Sequence, residues 1–374
     1  MAIESPAARS LLAHFLAALY GLAIFYASLQ PFANWMAPSP GTPFFLFAPW
    51  PPRWARYDIV TNLVAYVPFG FFIGLASQRP PPGRLTVAVG AGALLSFAME
   101  TLQMFVPTRD ANVADLVANT SGAAIGGVLA TAFAHWPGAK TAIALARERW
   151  FLPGTVGDLG IALLVIWLAV QINPGIPLFA AMYDPTLGGT DVGADLAAIV
   201  VEGAHSAFQL LGVGLFLALL LRERRHVGGA VLLLVGAAAI VKGIAAVALL
   251  RPTAWENWLT PAVVFGIAAG SVLLSIAIRL PRPAQVTVAA TALLSSLLAT
   301  LFAPDLLFAH APLRLFNWSY GQLLNFNGLT HTVLVLWPAV ACAYLFALAG
   351  RPGWGEPDDE AALAAGGASR ESRK

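Results

Sequence analysis

Three stretches decide how this chain folds: 57-YDIVTNLVAYVPFGFFIGLA-76, 85-LTVAVGAGALLSFAMETLQ-103 and 114-ADLVANTSGAAIGGVLAT-131. Each approaches the roughly 20 apolar residues needed to cross a bilayer as a helix. Each also carries polar side chains near one end, in a chain that is only 11% charged. Residues three or four apart share a helix face. Asp58 and Asn62 therefore share one face. Gly92, Ser96, Glu100 and Gln103 share another, and Asp115, Asn119, Gly122 and Gly126 a third. Ionisable groups in spanning segments are costly and face protein or a cavity, which makes them functional candidates. Small residues further along the last two faces let helices approach closely. The spacing predicts three inward faces that form one polar layer above a tightly packed base.

The whole composition agrees. With 374 residues, 58% of them hydrophobic, and a mean hydropathy of +0.74, the chain reads as an all-α, polytopic integral membrane protein. Apolar runs place ten helices at about 11–30, 57–77, 85–106, 114–135, 157–173, 195–221, 227–250, 258–278, 284–303 and 328–349. The first is preceded by Arg9 and is longer than a signal-peptide core, with no small-x-small site closing it, so it reads as a retained helix. Lys and Arg set the orientation. If the amino terminus is cytoplasmic, fifteen of them fall in the cytoplasmic connections and tails and five outside, with Lys242 inside a helix. Both termini are then cytoplasmic, in the cell (inner) membrane, and the polar layer opens outward. At 1.5 Å per residue, Asn62, Glu100 and Asn119 lie at one depth, about 6–8 Å from the outer helix ends.

The ordered set Asp58, Asn62, Pro68-Phe69-Gly70, Glu100, Gln103, Arg109, Asp115, Asn119 and Gly122 resembles the VanZ-like family, named for an accessory protein of glycopeptide (teicoplanin) resistance. The resemblance covers about residues 11–150. It implies a membrane protein of the bacterial cell envelope that handles an amphiphile at the outer leaflet and influences glycopeptide susceptibility. The family carries no settled reaction.

Three regions follow: 1–150, a VanZ-like membrane domain of about four helices; 151–350, a second membrane region of about six; and 351–374, a low-complexity tail expected to be disordered and cytoplasmic. The candidate ligand-binding residues are Asp58, Asn62, Glu100, Gln103, Arg109, Asp115 and Asn119. Pro68, Gly70, Gly122 and Gly126 are assigned structural roles. Glu202 and Lys242, at similar depths on consecutive helices, are expected to pair, with His205 in hydrogen-bonding reach. A lone charge near mid-bilayer costs about 3 kcal/mol on the insertion scale, and a pair shares that cost. Glu202, His205 and Gln209 share a face, but one His with one Glu is too few ligands for zinc. The single cysteine, Cys342, excludes a disulfide. No cofactor motif or nucleic-acid module is present.

The outer connection at about 31–56 carries Trp35, Phe44, Phe45, Phe47, Trp50 and Trp54 among prolines, and the last one Pro304, Pro312 and Asn317-Trp-Ser-Tyr320. Both read as interfacial segments, anchors or a rim over the polar layer. The partners so implied are membrane lipids and a lipid-linked cell-wall precursor or glycolipid. Other readings stay open: a transporter or lipid flippase, an enzyme using Glu100 or Asp115 as general base, and a hydrogen-bonded helix lock without a ligand.

Overall fold

A computed structural model describes residues 10–30, 32–49, 56–176, 178–179, 192–252, 258–302, 320–351 and 354. These residues are helical apart from two short 3-10 turns, the connections and isolated bridge residues such as Phe151 and Leu221. The helices are α1 (Leu12–Leu29), α2 (Arg56–Ala76), α3 (Pro81–Gln103), α4 (Val113–Ala134), α5 (Pro137–Trp150), α6 (Gly154–Val170), α7 (Val192–Leu220), α8 (Val227–Leu249), α9 (Pro261–Ala277), α10 (Arg282–Phe302) and α11 (Tyr320–Ala349). Each of the ten expected stretches is helical. Seven helices (α1, α2, α3, α4, α7, α8 and α11) are long and apolar enough to cross a membrane; α6 and α9 are apolar but only 17 residues long. The polar connection at 137–150 is itself a helix, α5. It is 14 residues long, with no buried residue and with Ile143 and Leu145 exposed, too short and too polar to span.

Several boundaries moved for local reasons. Helix α3 begins four residues early because Pro80 is extended and Pro81 and Pro82 occupy the first turn, where proline's fixed φ suits a helix and its missing N–H is no loss. Helix α9 begins at Pro261, capped by the Thr260 hydroxyl accepting from the Val263 N–H at 3.2 Å.

The chain forms two compact units. The first comprises Met1–Glu148 with Pro153–Ala162. Within it α4 packs along α2 and α3, and α1 along α2 and α3. The α2–α4 approach is very close. A Cβ on Gly122 would stand 2.1 Å from the Leu63 carbonyl oxygen, one on Gly126 2.1 Å from that of Val67, and one on Gly70 2.2 Å from that of Ala123. Only hydrogen fits at these positions. Pro68 lies inside α2, between the Leu63 and Gly70 contacts. Near the other end of the unit, Asp158 is fully buried and accepts from Arg147 Nε (2.9 Å) and Nη2 (2.6 Å) and from the Leu11 N–H (2.7 Å). One carboxylate thus ties together α5, α6 and the chain entering α1.

The second unit comprises Arg149–Leu152 with Leu163–Lys374. From Leu210 onward helix α7 is apolar on all sides, as befits an interior helix. Val213, Leu215, Phe216 and Leu217 are buried, and α8, α9 and α10 pack around it. The Phe216 ring lies 5.6 Å from Trp337 and 5.3 Å from Tyr344 on α11. The chain after α6 leaves the helical path at residues 171–176 and 178–179 yet stays largely buried, with Gln171, Asn173, Ile176, Leu178 and Phe179 in the interior. Irregular backbone at membrane depth must be satisfied by protein, and here a lysine does it. Lys242 Nζ donates to the carbonyls of Asn173 (2.8 Å) and Ile176 (2.7 Å).

That contact corrects the expected Glu202–Lys242 pair. Glu202 instead accepts from the Thr260 hydroxyl at 2.9 Å. Similar depth on consecutive helices did not fix their rotation about their axes, and the broken helix end offered the ammonium two carbonyls at once. Of the expected tail at 351–374 all but Arg351 and Trp354 lies outside the described residues, as does the connection at 303–319.

Candidate functional site

The polar layer is built around the start of α4. Asn112 is its N-cap, extended at φ −149° and ψ 155°, and its Oδ1 accepts from the Asp115 N–H at 2.9 Å. Asn112 Nδ2 returns the interaction by donating to Asp115 Oδ2 at 2.9 Å. This is the reciprocal logic of a capping box, with the return bond coming from the Asn112 side-chain amide instead of its backbone N–H. A carboxylate in the first turn also suits the positive end of the helix dipole.

Two further bonds reach neighbouring helices. Asn62 Nδ2 on α2 donates to Asp115 Oδ1 at 2.7 Å, and the Asn112 N–H donates to Glu100 Oε2 on α3 at 2.9 Å. One turn deeper, Asn119 Nδ2 donates to Ser96 Oγ at 3.0 Å. Glu100 is 2% exposed and Asn119 5%, and Ser96 is fully buried. Asn62, Glu100, Asp115 and Asn119 thus lie in one layer between α2, α3 and α4.

Gln103 and Arg109 turn to a different task. Gln103 Nε2 donates to the Ser28 carbonyl at 2.9 Å, and Arg109 Nη2 to those of Ala27 and Gln30 at 3.0 Å each. They satisfy the last carbonyls of α1, which lack partners within their own helix. Arg109 nonetheless remains in electrostatic range of Glu100. Burial lowers the pKa of its guanidinium, and the nearby carboxylate works against that shift. The side chain of Asp58 lies outside the described residues.

Sequence reading missed Asn112 and Tyr66, and placed Ser96 on the inward face of its helix without counting it among the candidate ligand-binding residues. Asn112 was legible in principle, since it stands three residues before Asp115, the cap-to-N3 spacing. Tyr66 had no signal beyond its place one turn after Asn62. Its ring is buried against Phe69, and its hydroxyl lies near Ser96, within electrostatic reach of Glu100 and Asp115. The approach to Ser96 falls short of hydrogen-bond geometry. Tyr66 Oη and Asn119 Oδ1 are both buried polar atoms with no hydrogen-bond partner among the described residues. Buried polar atoms are nearly always paired, so these two set the layer apart from a fully satisfied helix lock.

The connection between α1 and α2, of which Trp50 and Trp54 lie outside the described residues, has both a buried and an exposed part. Phe45 is buried, with its ring 4.8 Å from Phe44 and 5.7 Å from Phe97 of α3, and the Met36 N–H donates to the Phe105 carbonyl at 3.0 Å. Phe47, by contrast, is 81% exposed. No group of three His, Cys, Asp or Glu able to hold a metal occurs among the described residues.

These features define a helical, multi-pass type of membrane protein with a buried polar layer between three amino-terminal helices. Residues 10–134 match the family model of VanZ/LLP1. The amino-terminal segment is therefore VanZ-like, and the match ends with α4. No curated protein and no solved structure matches this chain.

Proposed function

We propose that this VanZ-like membrane protein binds the polar head of an amphiphilic or lipid-linked molecule in the layer between α2, α3 and α4, at the outer leaflet. The observation that carries this reading is the pair of buried, unpartnered polar atoms, Tyr66 Oη and Asn119 Oδ1, beside the carboxylates of Glu100 and Asp115. A structural lock gains nothing from polar atoms left unbonded, each costing about 1–3 kcal/mol, whereas a ligand supplies their partners.

The lysine and arginine bias supports ten spans, the segments before α1 and after α11 on the cytoplasmic side, and the layer facing out. Cysteine labelling tests that orientation in a Cys342→Ser background: Asp110→Cys reacts with an impermeant reagent from outside, and Arg225→Cys does not. Binding is tested by native mass spectrometry of the purified chain. The wild type retains an amphiphile that Asn119→Leu, equally folded, does not; equal retention by both would sink the assignment of the site. Altered teicoplanin susceptibility on expression in a sensitive bacterium, lost in Glu100→Gln at equal membrane level, would extend the reading to glycopeptides.

A further inference from the structure

Counting donors and acceptors in the polar layer says what kind of head it takes. This inference rests on the ligand-binding reading of the same layer. Every side-chain amide nitrogen of the layer already holds one acceptor. Arg109 Nη2 is held by two carbonyls of α1 and Gln103 Nε2 by a third. Asn62 Nδ2 and Asn112 Nδ2 are bound to Asp115, and Asn119 Nδ2 to Ser96. Acceptors remain. Glu100 receives one hydrogen bond among the described residues, on Oε2 from the Asn112 N–H. Asn119 Oδ1 receives none, and it is 5% exposed; Tyr66, 3% exposed, adds a hydroxyl that both donates and accepts.

Charge points the same way. Two carboxylates, Glu100 and Asp115, lie within electrostatic reach of the Tyr66 hydroxyl, against one cation among the described residues of the layer, Arg109, whose Nη2 is held on the α1 carbonyls while its charge reaches Glu100. A phosphate or pyrophosphate head brings only acceptors and negative charge to such a place. An ammonium brings three donors and the opposite charge.

We propose that the layer of Tyr66, Ser96, Glu100, Asp115 and Asn119 selects an amphiphile whose head carries a primary ammonium group, and rejects one whose head is a bare phosphate. Glu100 and Asn119 Oδ1 accept from the ammonium, and the Tyr66 hydroxyl adds a contact at its side.

Isothermal titration calorimetry on the full chain in phosphatidylcholine nanodiscs, with empty discs subtracted, tests this with three probes. Dodecylammonium and dodecyl phosphate share a chain and differ in the head; ethanolammonium carries the head without the chain. Dodecylammonium is expected to bind at one site per chain, at least tenfold more tightly than either of the others, since an opposite charge in a partly buried site outweighs a like one by that much or more. Glu100→Gln should lose about tenfold for dodecylammonium while unfolding at the wild-type temperature. Where Glu100→Gln is itself unstable, Tyr66→Phe serves instead, because it keeps the ring and should weaken the same probe alone. Dodecyl phosphate binding as well as dodecylammonium would overturn the head selection and leave the site intact. Equal binding of ethanolammonium would overturn the requirement for an amphiphile. Failure of all three probes to bind the folded wild type would overturn the ligand-binding reading itself.

Discussion

Adding one methyl group at Gly122 tests the close approach of α2 and α4. Its Cβ would stand 2.1 Å from the Leu63 carbonyl oxygen and 3.1 Å from Tyr66 Cβ, whereas ordinary contact begins at 3.4 Å. The obstacle is backbone, so no rotamer change relieves it, and α4 must retreat from α2 by more than 1 Å. That retreat stretches the 2.7 Å bond from Asn62, the neighbour of Leu63, to Asp115, about two turns before Gly122, beyond useful range. Overpacking of this kind costs about 1–3 kcal/mol. Alanine's better helix propensity returns up to about 1 kcal/mol, so Gly122→Ala should be destabilised by roughly 1–2 kcal/mol. Gly90→Ala is the internal control: a Cβ there meets nothing within 4 Å, and the change should be neutral or stabilising by up to about 1 kcal/mol. Equilibrium unfolding in mixed detergent micelles reads both. A Gly122→Ala protein as stable as wild type, or a Gly90→Ala protein equally damaged, refutes the close-packing argument.

Three further outcomes are expected. Tyr66→Phe removes a buried hydroxyl that lacks a partner among the described residues, so without ligand the variant should unfold no earlier than wild type and gain up to about 1 kcal/mol; a clear loss would show that the hydroxyl is bonded in the free protein. Lys242→Met strips the Asn173 and Ile176 carbonyls of their donor, which should cost about 1–3 kcal/mol for each group left buried. Adding Glu202→Gln should give an additive loss in a thermal double-mutant cycle, and a rescue would restore the Glu202–Lys242 pair. Arg147→Met leaves the fully buried Asp158 without its cation; a loss of about 3–5 kcal/mol is expected, and Asp158→Asn in the same background should recover part of it.

Sequence alone located every stretch that became one of the ten expected helices, because a long apolar run has few other stable forms in a bilayer. It also placed Glu100, Asp115 and Asn119 on faces turned to protein, since period and residue type decide a helix face. Gly122 and Gly126 were legible as contact points for the same reason. What it did not carry was the choice of partner. Lys242 donates to main-chain carbonyls at 173 and 176, and Gln103 and Arg109 to those at the end of α1. Every residue type offers that same acceptor, so no side chain in the sequence announces it. Asp158 found Arg147 and the Leu11 N–H, and Asn112 joined Asp115 to Glu100, only once the helices had taken their rotation and depth. Periodicity therefore settled which residues face inward, and tertiary packing settled which of the available donors each acceptor received.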